Sequence, residues 1–145
     1  MPALSRRFVL AGALIVLSTT LGPSSGAAQS SVKAVPVRVA ALPKMDGANL
    51  KMYAIQVTYP PGATSSAHRH PCPVVGYMIS GTMRMQVSDQ PSAEYKAGDT
   101  FVEMPTDVHR VGTNPSTDTP AVFLATFVCD RETPLSVPVT DTPAK

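Results

Sequence analysis

Tryptophan is absent from this 145-residue chain, and fifteen prolines interrupt it. Together they leave few signals for long helices. Apolar runs of the ~20 residues that a bilayer span needs are also missing. The formal net charge is only +2, and Arg6 and Arg7 supply both units. Without those two residues the chain is close to neutral. No basic patch remains that would suggest nucleic acid, and no cationic stripe that would suggest an anionic membrane. No segment repeats. Cysteine is limited to Cys72 and Cys129, and histidine to His68, His70 and His109.

What is present divides the chain into three parts. Arg6 and Arg7 precede an apolar run from Phe8 to Leu21, which ends in small residues from Ser24 to Ala28. A charged start, an apolar middle and a small-residue end are the layout of a secretory signal. Ser5-Arg6-Arg7-Phe8-Val9-Leu10 also resembles the twin-arginine export signal of bacteria. The expected parts are therefore a signal peptide over 1–28, one domain over 29–130, and a Pro- and Thr-rich tail over 131–145. The expected location is periplasmic or secreted. A mature length of ~115 residues suits a single core, and 43% hydrophobic content is ample for it. In an exported protein two cysteines suggest a disulfide. Cys72 as a soft ligand, or two separate thiols, are the alternatives. The tail is expected to be a flexible end, with an extended arm against a partner subunit as the alternative.

Strand signals recur every ~8–12 residues, the pattern of an all-β sandwich or barrel. The expected strands are Val35 to Ala40, Lys51 to Tyr59, Val74 to Ile79, Thr82 to Val87, Thr100 to Met104, one opening at His109, and Ala121 to Cys129. Ser80-Gly81 reads as a tight hairpin turn. On the strand after Pro73, Gly76 and Met78 are expected to face inward with Met83 and Met85. Gly76 would then leave room for a ligand. Tyr77 and Arg84 would pair outside, at a dimer contact.

All three histidines carry the spacing of one metal site. Residues i and i+2 of an extended strand face the same way, so His68 and His70 can converge on one point. His109, from another strand, completes a three-nitrogen face. Structural sites are closed, whereas this face leaves positions open for chemistry. Three neutral imidazoles also leave the charge of a divalent ion uncompensated. That favours a small anionic organic ligand such as an enolate, catecholate or carboxylate.

The residues around the histidines resemble the cupin family. Its first motif runs Gly, five residues, His-x-His, three or four residues, Glu, six residues, Gly. Gly62, His68, His70 and Gly81 fall in register, with Val74 at the Glu position. In the second motif Gly98 and His109 are in register. Met104, Thr106 and Thr113 stand where Pro, Gly and Asn are usual, and Pro105 and Asn114 are displaced by one. The resemblance covers roughly Lys51 to Cys129. It implies a single-domain antiparallel double-sheet jelly-roll barrel with a metal in its mouth.

The resemblance also implies candidate chemistry. Cupins with three histidines and no glutamate ligand include iron-dependent dioxygenases of diketone-cleaving and thiol-oxidising types, and the candidate activity is a dioxygenase of diketone- or quercetin-cleaving type. In the diketone-cleaving type an acidic residue sits six positions before the third histidine, where Glu103 stands here. Glu103 is thus the candidate catalytic residue, to orient a ligand, accept a proton or pair with a cation behind the pocket. The alternative places it on the outer face of its strand. The expected cofactor is one divalent ion, Fe(II) if the protein is an enzyme, with Mn, Zn, Ni and Cu as alternatives. A non-enzymatic metal- or small-ligand-binding protein is the second functional reading. A metal-dependent isomerase, which needs a second base, is the third. The sequence leaves the oligomeric state open, with a homodimer among the assemblies it allows.

Overall fold

The computed structural model describes residues 33–139. The expected signal peptide and the end of the tail lie outside the described residues. The alternating apolar segments fold into two facing antiparallel sheets. The first has four strands in the order β1 (Lys51–Tyr59), β9 (Ala121–Cys129), β4 (Val74–Ser80) and β7 (Thr100–Glu103). The second runs β10 (Val137–Pro138), β3 (His68–Arg69), β8 (His109–Thr113), β5 (Thr82–Val87) and β6 (Ala93–Lys96), with β2 (Thr64–Ser65) also paired to β8. This is the jelly roll that the strand spacing predicts. The one described helical element is a single 3-10 turn at Gly47–Asn49, capped by the Asp46 side chain. No described helix is long and apolar enough to cross a membrane.

Strand parity places the core. Along β9, Ala121, Phe123, Ala125, Phe127 and Cys129 are buried, while the residues between them are half-buried. Val74, Gly76 and Met78 on β4, and Met83 and Met85 on β5, are buried as expected. Cys72 and Cys129 form a disulfide with a Cα–Cα distance of 5.1 Å. That decides between the three cysteine readings. The bond ties the segment after His70 to the end of β9.

Several expectations fail for identifiable reasons. Val35 to Ala40 is not a strand. Pro36 lacks a donor, and no described backbone hydrogen bond ties this stretch to the barrel. Val35, Val37 and Val39 are well exposed. The strands flanking Ser80-Gly81 do not form a hairpin. β4 pairs with β9 and β7, and β5 pairs with β6 and β8, so the chain crosses between sheets at this point. Gly81 has φ +72° and lies against the Pro120 carbonyl, where a Cβ would clash. The crossing also prevents the Tyr77–Arg84 pair. Arg84 instead bonds Glu94 on β6 at 2.9 Å. The tail is not a free end through residue 139, because β10 pairs with β3 and Val139 N donates to the Ala67 carbonyl.

Candidate metal centre

The facing sheets place four side chains at one end of the barrel. His68 and His109 are direct cross-strand partners on β3 and β8. His70 follows β3, where the chain bends toward the disulfide. The ring centroids of His68 lie 4.8 Å from His70 and 4.9 Å from His109. Their ligating nitrogens all fall within 4.8 Å of one another. Glu103 closes the group from the opposite sheet, at the end of β7. It is 3% exposed and faces inward, which rules out the outer-face alternative.

The hydrogen bonds fix which nitrogens carry protons. His68 Nδ1 lies 2.8 Å from the Ser66 carbonyl, and His70 Nδ1 lies 2.6 Å from the Leu135 carbonyl. A carbonyl only accepts, so both Nδ1 atoms donate. Each ring in its neutral form then presents an Nε2 lone pair. This is the support that metal-ligating histidines commonly receive. His70 Nε2 lies 3.5 Å from Glu103 Oε2, and His109 Nδ1 lies 3.4 Å from Glu103 Oε1. Nε2 of His109 is buried and has no hydrogen-bond partner. An orphaned buried nitrogen, and a lone pair facing a carboxyl, are what a bound cation would satisfy. The residues therefore fit a divalent ion.

Burial sets the electrostatics of the ion-free site. It lowers the His70 pKa, with the neighbouring His68 adding to the effect and the Leu135 carbonyl opposing it. It pulls His109 down from 6.5 to about 4, again with help from His68. It pushes Glu103 up from 4.5 to about 7, assisted by the charge of Asp107. Uncharged imidazoles are the form that binds metal.

Two supporting residues escaped the sequence reading. Leu135 was assigned to the tail, yet its carbonyl anchors His70 across 65 residues of sequence. Asn114 is fully buried, and its amide nitrogen donates to the carbonyls of Tyr59, Pro60 and Thr119. Its displacement from the second motif was the available signal. It pins the loops around the barrel rather than the metal group.

Gly76 plays a different part from the one expected. A Cβ there would run into the Phe101 ring, its cross-strand neighbour on β7. The missing side chain makes room for that ring, not for a ligand. The cavity above it is nevertheless about 490 Å³ and reaches all three histidines and Glu103.

The cupin-domain family model matches residues 55–127, half of the chain. The chain is a cupin. Solved structures agree on the fold. A dimethylsulfoniopropionate (DMSP) lyase, DddQ from Ruegeria pomeroyi, superposes with a TM-score of 0.53 at 23% identity, over 60% of this chain and 42% of that one. A point mutant of the Bacillus subtilis oxalate decarboxylase OxdC gives 0.52 at 31% identity, over 61% of this chain and 24% of that one. This cupin thus spans less than half the length of either enzyme. Comparison with curated proteins gave no match. The match runs from the middle of β1 through most of β9, so all three histidines and Glu103 lie inside the family domain.

Proposed function

We propose that this cupin is an exported metalloprotein that holds one divalent ion through His68, His70 and His109, and that it binds a small anionic organic ligand at the open face. The observation that carries the reading is the lone pair of His70 Nε2 facing Glu103 Oε2 at 3.5 Å inside the cavity. The oxalate decarboxylase among the similar structures acts on a small anion, which is in keeping with such a ligand. The resemblance of the first 28 residues to an export signal is what supports a periplasmic or secreted location.

The chemistry we favour is Fe(II)-dependent dioxygenation of the diketone- or quercetin-cleaving kind. A bound iron supplies Lewis acidity and the redox capacity for dioxygen chemistry. The chain's own residues do the rest. Glu103, in the wall of the cavity beside two of the histidines, takes or returns a proton at a ligand oxygen. The apolar walls keep water from the reacting atoms. Leu135 and Ser66 hold two imidazoles in the tautomer that presents Nε2.

A non-enzymatic binding role is the second reading. It is favoured by the acid–base set of the cavity. Apart from the histidines, Glu103 is the one carboxyl among the described lining residues. The same observation disfavours an isomerase that needs two bases. Metal analysis of protein isolated from its export compartment, followed by oxygen uptake with a β-diketone and a flavonol, separates the readings. Stoichiometric iron with oxygen consumption supports the dioxygenase. Tight anion binding without oxygen consumption supports the binding protein. Absence of any bound divalent metal overturns both.

A further inference from the structure

The cavity walls restrict what kind of anion fits. Val57, Tyr59, Phe101, Phe123, Phe127 and Leu135 are among the residues that line the cavity around the histidines. No lysine or arginine is among the lining residues. Apart from the histidines, the polar side chains on the walls are Ser65, Ser66, Ser136, the Tyr59 hydroxyl and Glu103. Glu103 is a carboxyl, so it offers no attraction to a second carboxylate. A ligand group that reaches beyond the ion therefore meets rings and alkyl chains, with no cation to pair with it.

Resting on the metal-centre reading, we propose that the cognate ligand is a chelating monoanion with an apolar, preferably aromatic, body, and that small dicarboxylates are discriminated against. A bidentate oxygen head satisfies the ion. The body then lies against the Phe123 and Phe127 side of the cavity and is removed from water, which is favourable in proportion to its apolar area. A dicarboxylate has no such body. Its outer oxygens would be held in a largely apolar space with hydroxyls but no cation to meet them, and an unpaired buried charge is costly. The preference thus departs from that of an enzyme whose substrate is oxalate, although the two barrels are alike.

The Phe101 ring is central to this lining. It stacks edge-to-face on Phe123 with centroids 5.4 Å apart, and it occupies the space that Gly76 leaves. The glycine that would otherwise widen the site for a hydrated anion instead brings an aromatic surface into it.

Zn-loaded protein offers a test without turnover, since zinc has no redox chemistry. Metal content is measured first, and then calorimetric titration with benzohydroxamate, acetohydroxamate, oxalate and malonate. The two hydroxamates share a head and a charge and differ only in the body. Benzohydroxamate is expected to bind at least about tenfold more tightly than acetohydroxamate, and more tightly than either dicarboxylate. Ile55 lines the cavity at its rim and is 36% exposed, so Ile55→Arg is expected to fold. It supplies the missing cation and should strengthen malonate binding several-fold while leaving acetohydroxamate unchanged. Equal affinity for the two hydroxamates, or tighter binding of oxalate than of benzohydroxamate, overturns the proposal while the metal reading stands. Failure to retain zinc overturns the metal reading and the proposal with it.

Discussion

His70 and Glu103 meet as two acceptors. The Nδ1 proton of His70 is committed to the Leu135 carbonyl, so the Nε2 lone pair is what faces the carboxyl at 3.5 Å. Both groups are buried. Such a pair is stable only if the carboxyl is protonated or a cation sits beside it. Below about pH 7 the ion-free protein takes the first course, because burial raises Glu103 to about 7. A divalent ion offers the second, and it would displace the Glu103 proton as it binds.

Metal binding should depend on all three histidines. His68→Ala, His70→Ala and His109→Ala are each expected to weaken it by more than ~100-fold, beyond the range typical of supporting residues. The barrel should remain folded, since the core cluster contains none of the three. Elemental analysis alongside circular dichroism checks this. Stoichiometric metal in all three variants would show that the site is wrongly assigned.

The pH dependence of the ion-free protein has two opposed parts. Glu103 is raised, so its contribution is full below pH 4.5 and is lost as the pH rises through about 7. His109 is lowered, so its contribution is full above pH 6.5 and is lost as the pH falls through about 4. Glu103→Gln isolates the first part. Relative to the native chain it should gain stability between about pH 4 and about pH 8, levelling off at roughly 3 kcal/mol. Urea unfolding at the two ends of that range measures the gap. A gap that does not change with pH sinks the assignment.

Reduction of the disulfide should cost both stability and metal. The bridge spans 57 residues, and closing a loop of that length is worth about 4 kcal/mol in the chain-entropy account. Cys72 also lies two residues from His70, so freeing it loosens one ligand. Paired Cys→Ser substitution should lower the denaturation midpoint and weaken metal binding together. Unchanged metal affinity in the folded double variant would separate the bridge from the site.

Truncation after Arg131 removes the Leu135 carbonyl and the β10 edge. The rest of the jelly roll keeps its strands. His70 loses the partner that fixes its tautomer, and metal affinity should fall about 10- to 100-fold. Competition with a colorimetric chelator reads the difference. Full affinity in the shortened chain would mean that the tail contact is incidental.

Val74 stands directly across from Glu103 on the neighbouring strand. Val74→Glu would add a carboxylate at the position where the family motif carries one. It should raise affinity for the divalent ion and lower affinity for an added anion, since the first shell would then neutralise more of the charge. Anion titration of metal-replete variant and parent decides it. Unchanged anion affinity counts against the charge argument.

Much of this site was legible because it depends on local spacing. Strand parity places His68 and His70 together, and the bounds of the strands at 51–59, 82–87 and 121–129 follow from alternation and turn residues alone. What escaped depends on partners far along the chain. A turn at Ser80-Gly81 reads the same whether the strands around it pair or part, and here β4 goes to β7 and β9 while β5 goes to β6 and β8. Gly76 advertises space without saying that Phe101 fills it. The role of Leu135 is carried by a backbone carbonyl, which leaves no mark on side-chain identity. The valines at 35, 37 and 39 have the alternation of a strand but pair with none of the described strands.

The pairing of β1 with β9 runs in register from Lys51↔Cys129 to Tyr59↔Ala121. The strands that bracket the domain are thus neighbours, and each link between them spans most of its length. Pairings of this kind carry their loop-closure cost before they return any contact energy, so they form slowly. Leu135 lies later still in the chain. The histidines are therefore made early but held in place last, and the barrel must close before the site can discriminate among ions. If the three histidines hold a metal as proposed, its selection becomes a property of the finished fold, set in the compartment where the barrel closes.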